Sequence, residues 1–177
     1  MSNPFGIVET SELSTNANKE ILTSKAFENF GRVENTCIKL DTINEDLVGS
    51  KHPETGVPYR LRRFSIDGQM YEGGFPEFQA AFDKRLPKDM YLASDDMQFK
   101  YCTESLARAI DKNPDLASKF TPRQLEQIRN GEPRIQGWTW HHKEYPPGQM
   151  QLVNSDIHSK SRHTGGRAIW GGGSECR

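Results

Sequence analysis

Between Tyr59 and Glu72 the chain alternates. Tyr59, Leu61, Arg63 and Ser65 fall on one side, and Arg60, Arg62, Phe64 and Ile66 on the other. Asp67-Gly68 then interrupts, and Gln69-Met70-Tyr71-Glu72 resumes the pattern. Alternation about an Asp-Gly pair predicts a β-hairpin on a type I′ turn, ended by Gly73-Gly74. Upstream, Ile21, Leu22, Ala26 and Phe30 recur at helical spacing over Asn18 to Phe30, with Gly31 as a stop. Cys37 to Val48 has no single period. His52-Pro53-Glu54-Thr55-Gly56-Val57-Pro58 reads as a turn, with His52 as a turn or capping residue.

Phe75 to Arg85 and Asp95 to Lys112 read as helices. In the second, Phe99, Cys102, Leu106, Ala109 and Ile110 form an apolar stripe that belongs in a core. Asn113-Pro114 breaks it. Thr121-Pro122 caps a third helix, with Leu125 and Ile128 facing inward and Gly131 as its stop. Then the pattern shortens: a strand at Trp138-Thr139-Trp140-His141-His142, a turn at Tyr145-Pro146-Pro147-Gly148, and a strand from Gln149 to Val153. A helix capped by Asn154 or Ser155 follows, running to about Arg162.

The bulk numbers set bounds. At 177 residues the chain is one domain, or one domain with a short appendage. No stretch approaches the ~20 apolar residues of a membrane span. Residues 1–15 are Ser/Thr/Asn-rich and read as loose, without the basic start and apolar run of a secretory signal. The expected location is therefore the cytoplasm of producing and target cells, or export by a route that reads no classical signal peptide. Cys37, Cys102 and Cys176 are odd in number and form no C-x-x-C, which argues against a zinc ribbon and a disulfide framework. The net charge is −1, yet residues 134–177 hold six Arg/Lys against three Asp/Glu. That local excess suits a phosphate-bearing ligand. Arg60, Arg62 and Arg63 read as solvated strand charges, and Trp138 and Trp140 as packing residues.

Four of the five histidines fall within the last forty residues: His141, His142, His158 and His163. Neighbours on a strand point to opposite faces, so His141 and His142 take different roles, one toward a metal and one toward substrate. With two histidines from the following helix, one of them can hold a divalent cation and leave the other to activate water. His158 and His163 are five apart, about 140° past one full turn, so an ideal helix would not align them. Either the helix ends near Arg162 and His163 swings back, a turn that Thr164-Gly165-Gly166 would allow, or only His158 binds tightly. A ligand held by such a turn is expected to be the weakest of the set.

Trp140-His141-His142, Met150-Gln151-Leu152-Val153, His158 and His163-Thr164-Gly165-Gly166 resemble the HNH endonuclease superfamily with the ββα-metal fold. The likeness is in particular to the branch named for its Trp-His-His motif, commonly found as C-terminal toxin modules of bacterial competition systems. The likeness covers residues 134–173 and reaches upstream to about Asn44. It implies an α+β fold: a helical and hairpin scaffold followed by a C-terminal ββα-metal core at about 134–166. It also implies a partly helical extension over 1–43 and a nuclease domain over 44–177. By the resemblance, His141, His158 and His163 would be metal ligands and His142 the general base. Gln149 stands where the superfamily has its central asparagine, and the superfamily often spaces its helix ligands three or four apart. Arg162 and Arg167 flank the site as candidate phosphate contacts, and Glu144 either orients His142 or is a surface residue, the latter being favoured.

The implied cofactor is one divalent ion, Mg, Mn, Zn or Ni. The implied activity is DNA cleavage with little sequence preference, because an HNH helix lies in or near the minor groove and reads shape. A general base must be neutral to act, so activity should fall below about pH 6. A toxin also calls for an immunity protein, and an acidic one would complement the basic site. The alternatives are an RNase using the same residues and a non-enzymatic module in which the metal only holds the fold together. No membrane partner is expected.

Overall fold

Asp67 and Gly68 have φ of 50° and 81°, the mirror-image turn whose twist matches that of the strands it joins. In the computed structural model, which describes residues 36–176, this turn joins β2 (Tyr59–Ile66) to β3 (Gln69–Pro76). The hairpin is antiparallel with Phe64 opposite Tyr71, and it runs past Gly73-Gly74, which were expected to end it, to pair Tyr59 with Pro76. β1 (Ile38–Lys39) adds to β3 in parallel, giving the order β1-β3-β2. The hairpin arginines are paired: Arg60 and Arg62 with Glu77, and Arg63 with Glu72.

The second sheet has the order β4-β6-β5, built from β4 (Phe82–Arg85), β5 (Trp138–His142) and β6 (Gln149–Asn154), all antiparallel. Between β4 and β5 come α1 (Asp95–Ile110), α2 (Pro114–Ala117) and α3 (Pro122–Arg129). The caps follow from the sequence. Ser94 accepts from Met97 N, and Thr121 forms a capping box with Gln124. Asn154 caps α4 (Ser155–Lys160) by accepting from Ile157 N at 3.0 Å, and α5 (Gly166–Trp170) follows after a short turn. The architecture is mixed α+β, with small sheets and short helices.

Two buried clusters meet the second sheet: a small one of Val57, Phe78 and Val153, and a larger one. Cys102, Leu106 and Ile110 of α1 and Ile128 of α3 pack with Trp140, Met150 and Leu152 of the strands. The Trp140 indole N–H donates to Thr103 Oγ1 at 3.0 Å, so the strand that ends in the paired histidines is tied to α1. The three cysteines are free, and burial pushes the Cys102 thiol up to about 12. Among the described residues no helix is long and apolar enough to cross a membrane. The helix expected over Asn18–Phe30 lies outside the described residues.

The helix expected over Phe75–Arg85 is not there. Phe75 and Pro76 finish β3, residues 77–81 connect, and Phe82–Arg85 form β4. Phe75, Phe78 and Phe82 mimic helical spacing, but each has a different partner. Phe75 packs on Phe64, Phe78 on the histidine rings and Phe82 on Trp140. Pairing of β4 with β6, Phe82 opposite Leu152, outweighs the local pattern.

Candidate metal centre

β5 ends on His141-His142, and α4 starts directly from the partner strand β6, so strand and helix histidines meet without a long connection. His141 is 3% exposed. Its Nδ1 lies 3.3 Å from His158 Nε2 and 3.2 Å from His163 Nε2. The ligand atoms of the three rings all fall within 4.8 Å of one another. α4 ends at Lys160, and Arg162 turns back with φ 27°, which returns His163 to the group despite its five-residue offset from His158. Phe78 backs the cluster, its ring centroid 4.9, 5.3 and 5.0 Å from those of His141, His158 and His163.

The donor set fits a cation. A neutral ring nitrogen carries either one N–H or one lone pair, so His141 Nδ1 can fully satisfy only one of its two close neighbours. A positive charge where the three nitrogens meet would resolve both contacts. The rings are also in the protonation state a metal needs. Burial first, and then the facing imidazoles, hold His141 well below the usual imidazole range; burial lowers His158 to about 4. Burial and His158 lower His163 to about 3. These three residues could hold a metal.

His142 opens on the same cavity of about 440 Å³ as the three rings. Its Nε2 lies 2.6 Å from Gln98 Oε1. The orientation of the Gln98 amide is set independently, because its Nε2 donates to the Met90 and Tyr91 carbonyls at 2.7 and 2.9 Å. Gln98 therefore presents an acceptor to His142, so Nε2 carries the ring proton and Nδ1 the lone pair.

Residues 68–165, more than half of the chain, match the model of the DNase/tRNase domain of colicin-like bacteriocins. The chain belongs to that family. It is a nuclease domain of the bacteriocin type, and the matched stretch holds all four clustered histidines. No curated protein and no solved structure matches it.

The other expected site residues of this colicin-type domain are spread more widely. Arg162 is exposed on the turn between the two helix-side histidines. Arg167, expected to flank the site as a phosphate clamp, is 4% exposed. Its guanidinium donates to the Ala93 carbonyl at 3.1 Å, to Gln98 Oε1 at 3.0 Å and to the Cys176 carbonyl, with Nε 3.4 Å from Asp95 Oδ1. The cause is the close seating of α5: a Cβ on Gly166 would lie 2.1 Å from the Lys143 carbonyl oxygen, so this end of α5 is pressed inward.

Glu144, favoured as a surface residue, is instead buried at 4% exposure. The following residue, Tyr145, stacks on Phe64 at 5.4 Å and folds this loop under the hairpin, where Arg62 Nε is 3.7 Å from the Glu144 carboxylate. Burial raises the Glu144 pKa. Gln149 sends its amide to Asp83 Oδ1 at 3.2 Å, not into the 143–148 loop. That loop is tied by the Trp170 indole to the Lys143 carbonyl at 2.9 Å and by the Tyr91 hydroxyl to the Pro147 carbonyl at 2.7 Å. His52 is a turn residue, its Nδ1 accepting from the Glu54 and Thr55 amides at 3.3 Å.

Gln98, Asp95 and Phe78 escaped the sequence reading. Gln98 had one signal: it lies four residues before Cys102, on the apolar stripe of α1, where a polar residue needs a buried partner.

Proposed function

We propose that this domain is a metal-dependent endonuclease of the ββα-metal, HNH type, in the Trp-His-His branch, and that it cuts DNA with little sequence preference as a toxin in bacterial competition. One observation carries the reading: three neutral imidazole nitrogens converge within 4.8 Å, beside a fourth histidine on the same cavity. His141, His158 and His163 hold one divalent cation, drawn from Mg, Mn, Zn and Ni. β5, β6 and α4 make the ββα core, at about residues 134–166 of a nuclease domain spanning 44–177, with 1–43 as an extension.

A cation held there supplies Lewis-acid stabilisation of charge building on the phosphate and the leaving 3′ oxygen, worth several kcal/mol. The chain supplies the rest. His142 takes a proton from the attacking water at Nδ1, because Gln98 holds the proton already present at Nε2. The resulting imidazolium keeps its hydrogen bond to Gln98 and has the Asp95 carboxylate 3.8 Å from Nε2. Arg162 meets substrate phosphate from the exposed turn. Arg167, on the cavity wall, acts mainly by orienting Gln98.

Three protein ligands among the described residues would leave room for water or substrate beside a bound ion, which favours an enzyme over a module that uses metal only for stability. The family description names both DNase and tRNase activity, so RNA is the second substrate to test. A cognate immunity protein with an acidic surface is the expected partner in the producing cell. Incubation with supercoiled plasmid and with tRNA, each with Mg²⁺, Mn²⁺, Zn²⁺ or Ni²⁺ and with a chelator, tests the reading. Metal-dependent nicking of plasmid supports it, and intact plasmid and tRNA at micromolar protein with every ion would rule it out.

A further inference from the structure

Ser161 and Arg162 lead from α4 to His163, and their carbonyl oxygens have partners more than a hundred residues upstream. The Tyr59 hydroxyl donates to the Ser161 carbonyl and, at 3.0 Å, to that of Arg162. Asn44 Nδ2 donates to the same two oxygens at 3.1 and 2.7 Å. Thr55 Oγ1 lies 2.8 Å from Ser161 Oγ, which donates to the Ile157 carbonyl, so Thr55 is the donor in that pair. Beyond His163, the Ile43 amide donates to Thr164 Oγ1 at 3.1 Å. Residues on both sides of His163 are thus held by the 43–59 segment, which precedes the family match starting at residue 68.

The physical need is plain. The last carbonyls of a helix have no partner within it. Here the chain also reverses at Arg162 with φ 27°, a conformation that a side chain disfavours. Without external donors the turn would relax, and His163, five residues from His158, would leave the ring cluster. Tyr59 is 0% exposed, so its hydroxyl is aimed at these carbonyls and away from solvent.

We propose that Tyr59 and Asn44 are positioning residues for the metal centre: they hold the turn that returns His163 to His141 and His158, and so set the affinity for the cation without touching it. This rests on reading the three histidines as metal ligands. It also makes His163 a firmly held ligand, against the expectation from its spacing.

The test uses the full chain and Zn²⁺ as the probe, with affinity read by competition against a chromophoric chelator and geometry read from Co²⁺ absorption. Tyr59→Phe keeps the ring and removes the donor, and is expected to weaken Zn²⁺ binding by roughly tenfold, as loss of an outer-shell partner does. Asn44→Ala should act in the same direction. In a His163→Ala background, Tyr59→Phe should change affinity by less than about twofold, because its effect runs through His163. The Co²⁺ spectrum of Tyr59→Phe should move toward that of His163→Ala.

If Asn44→Ala does not fold, Tyr59→Phe decides alone. Parent-like Zn²⁺ binding by Tyr59→Phe, or a loss that adds in full to that of His163→Ala, would overturn the positioning role. A parent chain that binds Zn²⁺ no better than a His141→Ala/His158→Ala double variant would overturn the metal reading itself, and this inference with it.

Discussion

Gln98 Oε1 accepts from His142 Nε2 at 2.6 Å and from Arg167 Nη1 at 3.0 Å, so one buried amide oxygen joins a strand histidine to an arginine of α5. Both donors reach it because α1 carries Gln98 on its core-facing side at 0% exposure. Gln98→Met removes the acceptor and frees the imidazole to exchange tautomers. Cleavage should fall by up to roughly 10²–10⁴-fold, the whole contribution of a general base, while Zn²⁺ affinity stays near that of the parent. Imidazole ¹⁵N spectra of folded protein should report Nε2–H in the parent and a mixture in the variant. An unchanged tautomer in Gln98→Met would refute the role.

The division between base and ligand separates two further variants. His142→Ala should bind metal as the parent does and lose roughly 10²–10⁴ in cleavage rate. His158→Ala should lose both. Metal titration and plasmid nicking on the same preparations check this, and a His142→Ala protein within threefold of parental activity would mean the assignment is wrong.

Metal-free protein should lose stability in mild acid. His158 and His163 sit at about 4 and about 3 when folded, against an ordinary 6.5. Their folded values are lowered, so the unfolded chain binds more protons between about pH 6.5 and those values, and stability falls as the pH falls. Each titrating imidazole contributes a slope of up to about 1.4 kcal/mol per pH unit. Urea unfolding from pH 7 to 5 in chelator should follow this decline, and saturating Zn²⁺ should raise the curve across that range. A flat chelator profile would contradict the buried, neutral triad.

Burial of Glu144 acts with the opposite sign. Its carboxyl pKa is raised, so its contribution to stability is present in acid and is lost as the pH rises through the folded value. Glu144→Gln should therefore be at least as stable as the parent at pH 8 and comparatively worse at pH 4. Thermal melts at the two pH values check the crossover.

Residues 134–177 alone should not fold cooperatively, even with Zn²⁺. Trp140, Met150 and Leu152 pack against Leu86, Cys102, Leu106 and Ile128, which that fragment lacks, and forty-odd residues cannot replace such a core. Circular dichroism and plasmid nicking by the fragment test this. A fully active fragment would show that the preceding helices are dispensable.

Local physics was legible in the chain. The Asp67-Gly68 turn, the Thr121 and Asn154 caps, and the strand-turn-strand-helix order around the histidines depend on neighbours a few residues apart. Alternation and capping chemistry encode these directly. The histidine pattern pointed to the candidate site, where His141, His158 and His163 converge, for the same reason, since a strand end and the helix after its partner strand lie close in space. Contacts between distant segments were not legible. Phe75–Arg85 became strand because β6 offered a partner, Arg167 and Glu144 were buried by α5 and the hairpin, and Gln98 became the partner of His142 only when α1 crossed β5. The return of His163 also rests on Tyr59 and Asn44, more than a hundred residues away. Which donor meets which acceptor over that separation is set by packing, and periodicity along the chain carries no record of it.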